Sequence, residues 1–409
     1  MRAVELFAGA GGLGLGVSRA GFKPEAVIEW DRYCADTLRE NQFFGHDLVR
    51  DWPVHQMDVR QFDFATVLAG LDLVTGGPPC QPFSIGGKHK GPLDARDMWP
   101  QAVRAIRETA PRAFIFENVK GLTRASFANY FAYIQLQLRY PELGASSGED
   151  WQDHLQRLER YHTLGKERGL YYRLVARVLN AADYGVPQKR ERVVIVGFRS
   201  DLNIEWSFPP PTHSLDALIW SQYRDGDYWE RHGVSRRDRP EVARLQSRAK
   251  RMDEKPALRP WLTVRDAISD LPDPQSAAAA AVPNHRFQGG ARAYPGHTGS
   301  PIDEAAKTLK AGDHGVPGGE NMLALPDGRV RYFTVRESAR LQTFPDDFAF
   351  HGSWTETMRQ LGNAVPVTLA CAIATSVRQQ LAAVDSCDGL QPARQEESGA
   401  QRRRGAAFH

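Results

Sequence analysis

The N-terminal run from Ala3 to Ala20 constrains the fold more than any other part of the chain. Ala3-Val4-Glu5-Leu6-Phe7 is apolar and short enough for a buried strand. Gly9-Ala10-Gly11-Gly12-Leu13-Gly14-Leu15-Gly16 follows it, and Val17-Ser18-Arg19-Ala20 takes up a helical pattern. Strand, glycine-rich turn and helix in that order open a doubly wound α/β sheet, because glycines let the backbone approach a ligand at the helix N-terminus. Glycine-rich turns are common, so the next strands carry the argument. Ala26-Val27-Ile28 ends in Glu29, Trp30 and Asp31, about 20 residues after the glycines, where a carboxylate can bind a ribose diol and an indole can stack on a purine. A third strand end supplies Asp58-Val59, placed to read an exocyclic amine. Glu29 and Asp58 would also serve as helix caps. Together with Phe7, Gly9 and Gly11 they predict an adenosine-bearing cofactor. The residues leave two such cofactors open, a nicotinamide dinucleotide and S-adenosylmethionine.

A second feature lies downstream. Leu71-Asp72-Leu73-Val74 reads as a buried strand running into Gly76-Gly77-Pro78-Pro79-Cys80-Gln81-Pro82-Phe83-Ser84. Proline fixes φ and removes a donor, so Cys80 acts from a stiff position at the carboxyl end of a strand. A lone cysteine is more often a small buried apolar residue than a nucleophile, so its company matters. The strand Ala113-Phe114-Ile115-Phe116 ends in Glu117, and Gln188-Lys189-Arg190-Glu191-Arg192 leads into the strand Val193-Val194-Ile195-Val196. Near the C-terminus Gly362-Asn363-Ala364-Val365-Pro366 opens a last helix. A thiol, a carboxyl and two guanidinium groups are thereby expected in one cleft beside the adenosine site.

Composition narrows the class. A chain of 409 residues predicts a large core domain plus a smaller one. Net charge is only +3, which permits a nucleic-acid partner if the basic surface is local. The four cysteines are widely spaced, with no metal-type pairing, which suits a reducing setting better than a disulfide scaffold. No leader precedes the first strand and no apolar run approaches the roughly 20 residues of a membrane helix. The expectation is a soluble, cytoplasmic protein without a metal.

Taken in order, Phe7-Ala8-Gly9-Ala10-Gly11-Gly12, Glu29-Trp30-Asp31, Gly77-Pro78-Pro79-Cys80-Gln81-Pro82-Phe83-Ser84, Glu117-Asn118-Val119, Gln188 to Arg192, Arg336-Glu337-Ser338-Ala339-Arg340 and Gly362 to Val365 resemble the motifs of the bacterial-type DNA (cytosine-5)-methyltransferases. The resemblance covers most of the chain outside roughly 205–285, and the ordered set is far more specific than any single motif. It implies a Rossmann-like, S-adenosylmethionine-dependent methyltransferase sheet with a smaller, irregular target-recognition domain. Carbon 5 of cytosine is too weak a nucleophile unaided, and addition of a thiolate at carbon 6 makes it an enamine. The resemblance therefore implies Cys80 as nucleophile, with Glu117 at ring nitrogen 3 and the exocyclic amine as an acid of raised pKa. It implies Arg192 at the base carbonyl, Arg190 near Cys80 or a phosphate, and Pro78, Asn363 and Ala364 at the cofactor. Trp99 stands in a segment that borders the cofactor, where family members often have another apolar residue. The target base must be flipped out of its duplex, and the loop containing Ser84, Lys88, His89 and Lys90 suits contact with phosphates.

The domain reading is a catalytic core over 1–205, target recognition over 206–332 after Phe208-Pro209-Pro210-Pro211, a return to the core over 333–384 and a disordered tail over 385–409. Between Arg231 and Arg251 arginines cluster among acids, a pattern that suits phosphate contact but is usually a solvated face. Base reading is expected from Arg286 to Tyr294, with Arg292 on guanine, and from the loop holding Gly312 and His314. Residues 121–170 read as a surface elaboration with a helix near Trp151 and solvated His154 and His162. Glu5 stands where many relatives carry aspartate and is expected only to hydrogen-bond the glycine turn. The resemblance implies a monomer acting on double-stranded DNA, an orphan methylase or the modification half of a restriction system with a cognate endonuclease. Two rivals stay open: a transfer-RNA cytosine-5 methyltransferase, whose Cys-Phe-Thr signature is not seen, and a catalytically silent DNA-binding relative.

Overall fold

The computed structural model describes residues 1–79, 97–165, 168–311, 321–325 and 327–388. Its centre is a seven-stranded sheet in the order β3-β2-β1-β4-β5-β7-β6. The first half alternates strand and helix: β1 (Arg2–Leu6), α1 (Gly12–Arg19), β2 (Lys23–Glu29), α2 (Arg32–Phe43), β3 (Val54–Gln56), β4 (Leu73–Gly76), α3 (Trp99–Thr109) and β5 (Ala113–Val119). All pairings among β1 to β5 are parallel, as short crossovers through helices require. The chain reverses its winding between β1 and β4, the switch point where ligands bind in such sheets. Helices α4 (Ala128–Arg139) and α5 (Trp151–Thr163) come next, then β6 (Tyr172–Asn180) and β7 (Glu191–Arg199), which runs antiparallel between β5 and β6.

Both faces of the sheet are covered, as the near-continuous apolar runs of its parallel strands demand. On one side Val4, Leu6, Ile28, Val74, Phe114 and Phe116 pack against Trp99, Val103 and Ile106 of α3 and against Tyr130, Ile134, Leu155 and Leu158 of α4 and α5. Residues 121–170 are therefore not a surface elaboration, because α4 and α5 complete a core layer. His154 is fully buried, its Nδ1 2.8 Å from Tyr133 Oη and its Nε2 2.7 Å from the Leu143 carbonyl, which corrects the solvated reading. His162 is exposed, with Nδ1 2.6 Å from Tyr140 Oη.

The recognition region is irregular. It holds β8 (His213–Ser214), α6 (Leu215–Tyr223), α7 (Asp227–Arg231), α8 (Ala243–Lys250), β9 (Arg259–Pro260), α9 (Val264–Ile268), β10 (Ser300–Pro301), β11 (Met322–Ala324) and β12 (Val330–Tyr332). Two small sheets, β8–β9 and β10–β11–β12, organise it. The chain returns through α10 (Val335–Leu341), α11 (Trp354–Asn363) and α12 (Val367–Asp388). Thr334 and Glu337 close a capping box at the start of α10, and the buried Arg336 guanidinium donates to the carbonyls of Pro283, Pro345 and Phe348. Helix α12 lies on α1, so closely that a methyl at Gly16 would meet Ala370 Cβ at 2.4 Å. Asp385, placed in the tail by the sequence reading, pairs with Arg112 at 2.6 Å while α12 continues to Asp388. The stretch Trp354–Ser386 is long and apolar enough by length and composition to cross a membrane, which corrects the expectation that no stretch qualifies; 67% of its most apolar window is buried inside the fold.

Candidate active site

The glycine turn after β1 is held open by left-handed backbone at Phe7 (φ 56°), Gly9 (φ 55°) and Gly11 (φ 86°). Such a φ is uncommon for a bulky residue like phenylalanine, and strain of this kind clusters at ligand sites. Glu29 at the end of β2 ties the turn down: its carboxylate accepts from Gly9 N at 2.6 Å and Asp31 N at 2.7 Å. Burial raises the Glu29 pKa, partly offset by these backbone donors. Glu5 lies beneath the turn, accepting from Gly14 N at 2.9 Å as expected, and burial pushes its carboxyl up to about 8. Trp30 is 73% exposed, so one of the largest apolar faces in the protein stands open beside Glu29. Asp58 caps the turn after β3 through Arg60 N, and its carboxylate also pairs with the Arg60 side chain. These contacts occupy the roughly four lone-pair positions of the carboxylate, so an exocyclic amine would have to share an oxygen with Arg60 or displace it. Val59 is buried beside it, its carbonyl taken by Arg104.

The last motif reaches this turn from the far end of the chain. A methyl at Gly12 would meet Val365 O at 2.4 Å and Ala364 Cβ at 3.3 Å, so the Asn363-Ala364 turn is packed directly on the glycine turn. Asn363 is exposed and Ala364 buried. Trp99 departs from expectation. It is 1% exposed and sits edge-on to Phe116 in the core, because Trp99, Ala102, Val103 and Ile106 form the buried face of α3. An open indole, a carboxylate at a strand end and a backbone cradle fit an adenosine-bearing ligand.

The second half of the site forms where β4 and β5 end. Glu117 faces Val194 and Arg192 faces Val119 across the antiparallel β5–β7 pair. Glu117 and Arg192 are thus diagonal neighbours on one face of the sheet, within reach of long side chains. Arg192 Nε lies 2.7 Å from Glu117 Oε1, and the two side chains are only 11% and 9% exposed. No N–H is aligned on that oxygen as a hydrogen bond among the described residues, so Glu117 keeps acceptor or proton-sharing capacity. Burial raises the Glu117 pKa, opposed by the positive charges of Arg192 and then Arg190. The carboxyl also lies against the strand that leads to the cysteine: a methyl at Gly77 would stand 3.4 Å from Glu117 Oε2. Asn118 Nδ2 donates to the Pro78 carbonyl at 2.9 Å and fixes the proline.

Arg190 is too deeply buried for the phosphate contact expected of it, while the other expected place, near Cys80, falls on a residue outside the described ones. It is fully buried, and its guanidinium donates to the carbonyls of Leu309, Gly362 and Ala364 at 3.0, 2.7 and 2.9 Å. It is a strut joining the 309–311 segment to the Asn363 turn, and reaches Glu117 only through its charge. Gln188 and Gln342 complete this buried truss, Gln188 Oε1 accepting from Leu309 N at 3.0 Å and Gln342 Nε2 donating to the Leu361 carbonyl. The motif Gln188 to Arg192 was visible in the sequence, and the resemblance put Arg192 at the base; the bracing role of Arg190 was not visible. Arg60, Asn118 and the two glutamines had no assigned role, although Asp58-Val59-Arg60 is a recognisable i, i+2 carboxylate–guanidinium spacing. Arg292 is exposed, near the exposed rings of Phe287 and Tyr294 in sequence. Cys80, Ser84, Lys88, His89, Lys90, Gly312 and His314 lie outside the described residues.

The family model for C-5 cytosine-specific DNA methylases matches residues 1–140 and 152–379. The chain belongs to the C-5 cytosine-specific DNA methylase family. It is an enzyme, a DNA (cytosine-5-)-methyltransferase. Among similar proteins, the Type II methyltransferase M.PspPI of Psychrobacter sp. (strain TA137) is 34% identical over 385 residues, covering 92% of this chain and 79% of that protein. Type II methyltransferase M.NgoMIV of Neisseria gonorrhoeae is 30% identical over 382 residues, covering 92% and 97%. A crystal structure described as a DNA modification methyltransferase encoded within an E. coli prophage superposes with a TM-score of 0.55 at 20% identity, covering 93% and 99% of the two chains. That likeness shows the fold.

Proposed function

We propose that this methyltransferase uses S-adenosylmethionine to methylate carbon 5 of a cytosine flipped out of a specific duplex DNA sequence, with Cys80 forming a covalent adduct at carbon 6. The observation that carries the reading is the buried Glu117–Arg192 pair against Gly77, three residues before the cysteine. Phe7, Gly9, Gly11, Glu29, Trp30, Asp58, Val59, Pro78, Asn363 and Ala364 would hold the cofactor, which supplies an electrophilic methyl group when bound. The Cys80 thiolate adds to carbon 6 and leaves carbon 5 nucleophilic. Glu117, its pKa raised by burial against the opposing charge of Arg192, shares a proton with ring nitrogen 3 and so offsets the negative charge that the addition puts into the ring. Arg192, still cationic, holds the ring carbonyl. Once carbon 5 carries the methyl group, a water takes its proton, the carbon 5–carbon 6 double bond re-forms and the Cys80–carbon 6 bond breaks to release the thiolate. The division into a core over 1–205, target recognition over 206–332 and a return over 333–384 suits this role, as does pairing with an endonuclease of the same specificity, suggested by the Type II relatives.

The test incubates the full chain with methyl-labelled cofactor and either mixed-sequence duplex DNA or transfer RNA, then maps the modified bases. Label at carbon 5 of cytosines in one DNA sequence, abolished by Cys80→Ser, is expected. Label confined to RNA, or undiminished in the serine variant, overturns the proposal.

A further inference from the structure

The charge of the chain is concentrated in one helical unit that the methyl-transfer chemistry does not use. Between Ser235 and Arg251 there are seven cations and two acids, a surplus of five, whereas the whole chain has a surplus of only three. The rest of the protein is therefore two charges negative, and a polyanion has a strong reason to prefer this unit. Its fold sorts the charges. Helix α8 packs on α6 with Ala249 fully buried and Leu245 and Met252 half-buried. Arg244, Arg248 and Arg251 recur at i, i+4 and i+7 and form an exposed stripe about 100° round the helix from that buried face. No acid lies between Glu241 and Asp253 to neutralise it. Arg248 leans on Asp216 at 2.6 Å, while Arg236, Arg244, Lys250 and Arg251 have no ion pair among the described residues.

The unit is anchored rather than loosely attached. Its entry and exit strands, β8 and β9, pair with each other. Tyr228 Oη donates to Asp303 at 2.8 Å, Trp229 Nε1 to the Gln222 carbonyl at 2.6 Å, and Trp261 Nε1 to Asp183 Oδ1 at 3.0 Å. Asp183 lies in the turn after β6, where Asn180 faces Glu191, and the next residue, Arg192, faces Val119 of β5. The cationic stripe is thus fixed to the end of the sheet where Glu117 and Arg192 meet.

We infer that this face is a second DNA contact, in which the exposed cations of α8 bind backbone phosphates of duplex flanking the target site without reading bases. The inference rests on the reading of the chain as an enzyme of duplex DNA. A helical face whose cations, Arg248 apart, have no ion pair among the described residues fits regularly spaced phosphates, and a rigid mount holds it at a constant distance from the base pocket.

The test uses the full chain, the triple variant R244E/K250E/R251E, and two duplexes centred on the cytosine mapped for this protein, one of about 16 bp and one of about 60 bp. Binding is measured by fluorescence anisotropy across a salt series. The wild type should bind the long duplex more tightly and with a steeper salt dependence. The variant should lose about 10-fold or more in affinity for the long duplex, with the salt slope flattened by two to three phosphate contacts at roughly 0.9 each. Affinity for the short duplex and methyl transfer to it should be unchanged. The neutral variant R244Q/K250Q/R251Q should shift the long duplex in the same direction by less. Equal losses on both lengths, or none on either, would overturn the inference, the latter leaving a solvated face or one for an acidic protein. A wild type that binds by length but leaves DNA unmethylated would instead sink the proposed function.

Discussion

Glu5 offers the sharpest test of the physics under the cofactor turn. Its carboxyl is 3% exposed, accepts among the described residues only from Gly14 N at 2.9 Å, and has the Glu29 carboxylate near enough to repel it. Burial is the largest cause of the raised pKa, about 8 against 4.5 in the unfolded chain, ahead of the opposing Gly14 bond and the repulsion from Glu29. A carboxyl with a raised folded pKa binds more protons in the folded state between those values, so folding stability falls as pH rises through that window. The gap of about 3.5 units, at 1.36 kcal/mol each, bounds the loss near 5 kcal/mol. Glu5→Gln keeps the acceptor for Gly14 and removes the ionisation. Urea unfolding at about pH 5 should therefore find the two proteins similar, whereas at about pH 9 the glutamine variant should be more stable by several kcal/mol. Parallel stability curves for the two proteins would mean that Glu5 ionises without penalty, and the argument would fail.

Two further outcomes follow from the site. Glu117→Gln should slow single-turnover methyl transfer by about 10²–10⁴-fold while leaving cofactor affinity within a few-fold, since the side chain packs against Arg192 and Gly77 and has no hydrogen bond to the glycine turn among the described residues; a rate within ten-fold of wild type would remove the acid role. Gly362→Ala should cost about 1–3 kcal/mol, because the new methyl would lie 2.2 Å from Ala311 N and 2.4 Å from the Lys310 carbonyl carbon, both backbone atoms that cannot step aside. A lower melting temperature is expected, with weaker cofactor binding as Arg190 loses its grip on the Gly362 carbonyl; an unchanged melting temperature would refute the close approach.

Much of this site was legible because its chemistry is local. Glycines at Gly9 and Gly11 are required by positive φ, Glu29 ends its strand, and Pro78 stands just before the cysteine, each legible from the few residues around it. Roles that depend on burial were misjudged. Trp99 looked like a cofactor contact and is core; His154 looked solvated and is bonded on both ring nitrogens inside a layer that α4 and α5 complete. Polarity alone does not tell a residue's depth, because a buried polar group needs only a partner, and partners lie elsewhere in the chain.

The arginines of the Gln188 to Arg192 motif mark the boundary most clearly. Sequence determined the family's motif order, the parallel sheet, the positions of the strand ends and the residue types that crowd them. Alternation at the start of β7 sends Arg190 and Arg192 to the same face, so periodicity could not separate them and only the resemblance put Arg192 at the base. Only the tertiary structure decided that three carbonyls, from segments 119, 172 and 174 residues away, enclose Arg190, while the register of β5 against β7 leaves Arg192 beside Glu117. Those carbonyls converge because the 309–311 segment and the Asn363 turn pack on the start of β7, and no local pattern specifies such long-range packing.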